Sequence, residues 1–325
     1  MTDSVTTAQA NARSRRLTQR LLPYARLAKY EFFDFYLSIP LVWTMLPPSL
    51  RTDAHVLATL LACFLGSICI VSSVMVFDDI TGYLDGSDEI NYAADGSGLR
   101  KRHRKPLLDG VLTVRQARRF GYTLVLAGVA IWVAIFATAP HRPAWAIATV
   151  SIAIFASVQY SWGLKFSYHG AAEILIAATP MCIVAAPYGL LTGEVTGLVL
   201  TESVLFGLWQ ILVSCYSNSN DIAGDTAVGR TNAATVFSPR GNRVFISALT
   251  SVETLVIVGS AATGLTPWWF PLALLPLLVL RARQLATFLT GGNALLARRR
   301  GVNNHRVGVA TLILVNLVYL TASGG

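Results

Sequence analysis

Long apolar runs separated by short polar, mostly basic segments set the pattern of this chain. Nine such runs stand out, near 25–46, 55–77, 119–139, 143–163, 169–190, 201–217, 243–264, 266–282 and 306–323. A membrane-spanning helix needs about 17–25 mostly apolar residues. Segments 55–77 and 120–140 contain no Asp, Glu, Lys or Arg. Segments 25–46, 201–217 and 266–282 are shorter or interrupted. The pattern predicts an all-α, multi-pass membrane protein of nine transmembrane helices, with one membrane domain over 25–323. Residues 1–24 are polar and Arg-rich without a cleavable apolar core, and read as a disordered cytoplasmic tail rather than a signal peptide.

The basic residues orient these spans. With nine of them, the N-terminus and alternate loops share one side of the bilayer. All 26 Lys and Arg fall on that side except Arg51 and Arg142. Cationic residues concentrate in cytoplasmic loops, so this side is expected to be the cytoplasm and the protein to lie in a cell membrane. The net charge of +9 follows from this topology. It does not point to nucleic acid, because no compact basic domain stands apart from the spans.

Composition agrees: 54% of residues are hydrophobic and 13% charged, against about 25% charged in soluble domains. Cys63, Cys69, Cys182 and Cys215 lie inside apolar runs, with no spacing of a metal site or disulfide framework. Arg far outnumbers Lys, which points to a GC-rich, bacterial genome.

Against this background two acidic clusters are conspicuous. The first contains Asp78, Asp79, Asp85, Asp88 and Glu89; the second contains Asn218, Asp221 and Asp225. Each closes an apolar run, and both emerge on the same face. An Asp at the centre of a spanning helix costs about 2.5–3.5 kcal/mol, and two carboxylates in contact repel by up to about 4 kcal/mol. A divalent cation with a polyanionic substrate removes both penalties. Residues three, four and seven apart share a helix face. Asp78, Asp85 and either Asp88 or Glu89 can therefore converge, as can Asn218, Asp221 and Asp225. These hard oxygen donors suit Mg²⁺, and no His or Cys lies beside them to suggest zinc or iron. Arg102, Arg104 and Lys105 follow the first cluster and Arg230 the second. Carboxylates to hold metal, with cations beside them, suit a diphosphate.

The stretch from Asp221 through Asp225 to Gly229-Arg230-Thr231 resembles the second DxxxD motif of the UbiA superfamily of intramembrane prenyltransferases. The first cluster, with Lys105-Pro106-Leu107-Leu108-Asp109-Gly110, resembles that family's first Asp-rich motif and the R-P-L-x-S-G segment after it. Tyr160-Ser161, Lys165 and the stretch from His169 to Glu173 resemble its approach to the fifth helix. The similarity covers about residues 25–320. It implies a nine-helix bundle around a central cavity, Mg²⁺, and transfer of a prenyl group from a polyprenyl diphosphate. The implied metal residues are Asp78, Asp79, Asp85, Asp88, Asp221 and Asp225. Lys105, Lys165 and Arg230 are expected to stabilise the departing diphosphate, and Arg102, Arg104, Asn218 and Tyr160 to bind substrate. The first motif departs from the family's N-D-x-x-D-x-x-x-D: Asp78 stands for Asn, Gly82 for the middle Asp, and Asp85 and Asp88 are displaced. Asp85 is expected to replace the missing middle carboxylate, unless it only caps the turn before Gly86.

The apolar prenyl chain is expected to lie among the helices, and the allylic cation against aromatic faces. Phe32, Phe33, Tyr36, Trp43, Tyr160, Trp162 and Tyr216 are candidates by position, as well as for an interfacial belt. Glu31 and Asp34 either serve an acceptor or pair with Lys29 near the interface; Glu253, deep in the seventh run, has no assignment. The leading function is transfer of a prenyl group to a small aromatic or similarly nucleophilic acceptor. A terpene cyclase, using the same cation without an acceptor, is the alternative. A transporter is a third class, but it calls for a charged path across the bilayer or inverted repeats with broken helices, whereas the acids here crowd one face and both acidic segments run in the same orientation.

Overall fold

The computed structural model describes residues 19–30, 34–93, 99 and 102–323. Glu31, Phe32, Phe33 and Lys101 lie outside the described residues. Within them the chain is all-helical. The helices are α1 (19–27), α2 (Ser38–Met45), α3 (Ala54–Leu84), α4 (Ser87–Asn91), α5 (Val114–Thr138), α6 (Ala144–Val158) and α7 (Ala172–Thr192). After these come α8 (Gly197–Ala227), α9 (Ala233–Val236), α10 (Pro239–Ala262), α11 (Phe270–Ala273), α12 (Leu275–Gly291) and α13 (Ala294–Ser323).

Five helices among the described residues, α3, α5, α7, α8 and α10, are long and apolar enough to cross a membrane. The first expected run is divided: α1 ends at residue 27, and a 3₁₀ turn over Asp34–Leu37 leads into the eight-residue α2. The fourth run forms a helix of 15 residues and the eighth one of 17. The expected Thr113 cap is present: its hydroxyl accepts from Gln116 N–H, and Gln116 returns the bond to Thr113.

Small residues let the backbones approach, the usual device of membrane helices, which gain little from hydrophobicity against lipid. A methyl on Gly128 of α5 would sit 2.7 Å from Ile70 of α3, and one on Gly121 would sit 3.0 Å from Phe77. At Gly207 of α8 it would meet the Ala177 carbonyl of α7 at 2.4 Å, and at Gly308 of α13 the Trp209 ring at 2.6 Å. The largest core joins α2, α7, α8, α12 and α13 around Phe206, Trp209, Leu41 and Leu312.

Buried polar groups cross-link the same helices. Glu253 of α10 is fully buried and accepts from Arg281 Nε (2.7 Å), Arg281 NH2 (3.1 Å) and Trp209 Nε1 (2.6 Å). Arg281 also donates to Gln284 Oε1, which Asn304 reaches from α13. Glu253 thus has a structural partner set, and α8, α10, α12 and α13 are tied together. Asp34 is buried and accepts from Arg306 at 2.9 Å, which joins the start of the α2 region to α13.

Candidate active site

The site is built where α3 and α8 end. Both helices run 31 residues and carry their acids in the last turns. Asp78 Oδ1 accepts from Ser161 Oγ (2.6 Å) and Arg230 NH2 (3.1 Å). Arg230 follows α8, so this pair joins the two Asp-bearing segments directly. The helices also meet through α4: a methyl on Gly224 would lie 2.3 Å from Asn91 Oδ1.

Asp79 is almost wholly buried between two ammonium groups, Lys29 Nζ at 2.5 Å and Lys105 Nζ at 2.7 Å. Lys105 also donates to both oxygens of Asp88, at 2.6 and 2.7 Å. Burial opposes the charge on Lys105, but Asp79 and Asp88 overcome it and hold the ammonium well above the usual lysine range. Burial raises the Asp88 carboxyl to about 6, against Lys105 and with the charge of Asp79 adding.

Asp85 is placed differently. It is the C-cap residue of α3. Its Oδ1 accepts from the Ser87 N–H and hydroxyl, and its Oδ2 from the Tyr168 hydroxyl. Gly86 follows with φ 83°, a left-handed turn that glycine adopts without a Cβ clash. The chain thereby folds back, and the Asp88 carboxylate comes to rest on Gly82: a methyl there would be 2.7 Å from its Cγ.

In the second cluster, Asp225 is buried and accepts from Asn232 Nδ2 at 2.8 Å. Asn232 also caps α9, through a capping box with Thr235. Asp221 is half-buried one turn earlier, where Asn220 Nδ2 reaches it at 3.2 Å, and Asn218 lies on the same face. Glu173 accepts from the Ala233 N–H at 2.8 Å and so fixes the segment after Arg230.

The cations divide into two sets. Lys105 and Arg230 contact the clustered carboxylates directly. The Arg230 guanidinium lies 4.9 Å from the Tyr168 ring centroid, and Lys165 Nζ lies 5.0 Å from the same ring, from a left-handed backbone position. Tyr160 is half-buried beside Ser161. Arg102 instead forks onto the exposed Glu89 at 3.0 and 3.1 Å, and the Arg104 carbonyl accepts from Lys29. Tyr168, Asn232 and Lys29 were not singled out as site residues from sequence. The Asn-x-x-Thr capping spacing was the available signal for Asn232; Tyr168 carried none beyond its closeness to Lys165.

Among the described residues, no three His, Cys, Asp or Glu side chains converge into a finished metal cage. Mg²⁺ does not require one, since it binds through one or two carboxylates and completes its shell with water and phosphate. The donor set is all hard oxygen. The Arg230 Nε–H is buried without a partner among the described residues, an N–H donor left over for an anion. The residues therefore fit a divalent cation with a diphosphate.

A family model described as the UbiA prenyltransferase family matches residues 38–320. No curated protein matches the chain. Among solved structures, a UbiA homolog from Archaeoglobus fulgidus bound to GPP and Mg²⁺ superposes with a TM-score of 0.62 at 13% identity, covering 90% of this chain and 99% of that one. An apo UbiA homolog from Aeropyrum pernix K1 gives 0.62 at 10%, covering 89% and 98%. A structure of digeranylgeranylglyceryl phosphate synthase gives 0.58 at 14%, covering 92% and 98%. At such identities these likenesses show the fold.

Proposed function

The chain belongs to the UbiA prenyltransferase family, and from that premise we propose that it is a Mg²⁺-dependent enzyme that ionises a polyprenyl diphosphate and transfers the prenyl group to a small aromatic or similar acceptor. The observation that carries this reading is the Asp78–Arg230 pair at 3.1 Å. It makes one site of two acidic segments distant in sequence and puts cations within it.

Asp78, Asp79 and Asp88 on one side, and Asp221 and Asp225 on the other, would hold the metal. Held by these carboxylates, Mg²⁺ would supply positive charge against the departing diphosphate. Arg230 offers a diphosphate oxygen its Nε–H, which has no partner among the described residues, and Lys105 and Lys165 add positive charge nearby. Ser161 and Tyr168 hold Asp78 and Asp85 in place. The prenyl chain lies among the helices, where each buried methylene contributes about 0.8 kcal/mol. In the nine-span topology proposed here the site faces the cytoplasm.

The altered first motif keeps a terpene cyclase as the second reading. Purified protein incubated with a panel of prenyl diphosphates, with and without aromatic acceptors, tests both. Prenylated acceptor supports the transferase. Terpene formed without acceptor supports the cyclase, and no Mg²⁺-dependent diphosphate release with any substrate refutes both.

A further inference from the structure

We infer that the groove between α12 and α13 binds an anionic phospholipid, with its headgroup phosphate held by Arg283 and Arg300 and its chains running onto the apolar end of the groove. No residue of the candidate active site takes part.

After Glu253 the chain carries six arginines and no Asp or Glu. Two of the six pair with carboxylates from elsewhere, Arg281 with Glu253 and Arg306 with Asp34. Arg283 and Arg300 have no ion pair among the described residues, and both are exposed on a cleft of about 620 Å³. The Arg300 guanidinium is nevertheless set in place. One of its terminal nitrogens donates to the Thr287 hydroxyl and, at 3.3 Å, to the Arg283 carbonyl, which draws it across to α12. Its other N–H groups have no partner among the described residues.

The groove lies on the outer side of the helix pair. Arg281, Gln284 and Phe288 form the buried face of α12, where Arg281 meets Glu253 of α10 and Phe288 meets Tyr216 of α8. Arg283, Ala286 and Thr290 stand on the opposite face and are exposed. Chemistry changes along the groove. Thr287, Thr290, Arg300 and Asn303 line the end beside the α12–α13 turn, and Leu280 and Val307 close the other end. The apolar runs of these helices stop at 282 and resume at 306, so the polar part begins where the spans leave the hydrocarbon. Arg283 to Thr290 covers about 10 Å of helix, enough to cross a headgroup layer of about 5–7 Å. Basic pockets between spans at this level take phosphorylated headgroups. The charge selects a net-anionic lipid. A zwitterionic one would bring its own cation into a groove that no carboxylate lines.

The test is native mass spectrometry of the purified full chain, delipidated in detergent and titrated with phosphatidylglycerol or phosphatidylcholine. Wild type should bind one phosphatidylglycerol with a Kd about tenfold or more below that for phosphatidylcholine, and the double variant Arg283→Gln, Arg300→Gln should lose this preference. Arg299→Gln, which removes an exposed arginine outside the groove, should keep it. If the double variant is not monodisperse, Ala286→Glu takes its place; it leaves both arginines and puts a carboxylate in the groove, and should lose the preference too. Equal binding of the two lipids by wild type, a preference that survives the groove substitutions, or one lost equally in Arg299→Gln overturns the proposal. Displacement of the lipid by inorganic phosphate would mark a free-anion site. Dimerisation of the lipid-free chain that Ala286→Glu abolishes would give the groove to a second copy. Either result also overturns the assignment to lipid.

Discussion

Replacing Glu253 should be far more damaging than replacing the arginine it binds. Both side chains are buried, at 0% and 1% exposure. In Glu253→Met, Arg281 keeps Gln284 but loses both carboxylate bonds, at 2.7 and 3.1 Å, and a guanidinium cannot shed its proton. Breaking a buried pair from one side costs about 3–5 kcal/mol. The Trp209 indole N–H, now without its acceptor, adds about 1–3 kcal/mol. In Arg281→Met the remaining carboxylate keeps its bond from Trp209, so the indole stays satisfied and the loss should lie at or below the lower end, about 3 kcal/mol. The double variant replaces the whole pair with apolar volume and should lie nearer wild type than Glu253→Met does. Chemical unfolding in detergent, followed by Trp fluorescence, gives the three values. A reversed order of the two single variants, or a Glu253→Met protein within about 1 kcal/mol of wild type, as for an exposed pair, would refute this account of the bundle.

Asp221→Ala and Asp225→Ala should abolish diphosphate release yet elute as monodisperse protein, with Asp225→Ala the less stable because Asn232 loses its acceptor; normal turnover in either contradicts the assigned site. Gly82→Ala should raise the Mg²⁺ concentration needed for half-maximal rate, since its methyl would displace Asp88. Its melting temperature should fall, because a crowding cost of about 1–3 kcal/mol and the disturbed Lys105–Asp88 pair outweigh the roughly 1 kcal/mol that helix propensity gains over glycine. Cysteines placed at the exposed Val111 and Ser238 of a cysteine-free chain should resist an impermeant thiol reagent added to intact cells and react after permeabilisation; labelling from outside would invert the proposed topology.

Much of the architecture was legible because lipid imposes a one-dimensional code. Apolar length marks a span and Lys or Arg marks its cytoplasmic end, so α3, α5, α7, α8 and α10 stand where the runs lie. The division of the first run into α1, a 3₁₀ turn and α2 was less legible, because hydropathy reports burial and not backbone continuity. Glu253 shows the same limit: sequence marks a charge inside a span, but its partner Arg281 arrives from another helix. The second acidic cluster was readable because its residues sit on one helix, where i, i+3 and i+7 spacing places them on one face.

The first cluster does not stay on one helix, and that is where helical arithmetic stops. Counting by helical turns from Asp78 favours Asp85, but α3 ends at Leu84, and past that point spacing no longer translates into direction. Two residues without side chains decide the outcome. Gly86 permits the left-handed turn and Gly82 leaves room for what the turn brings back. Each glycine has a bland reading alone, one as a helix terminator and the other as a gap in a motif. Together with the Asp85 cap they form a single device that sets Asp88 beside Asp79 with Lys105 between them. A carboxylate moved six residues along the chain can therefore return to the volume of the one that is missing. An acidic motif that departs from its family's spacing can keep its charge arrangement in space, and the glycine at the vacated position records where the carboxylate went.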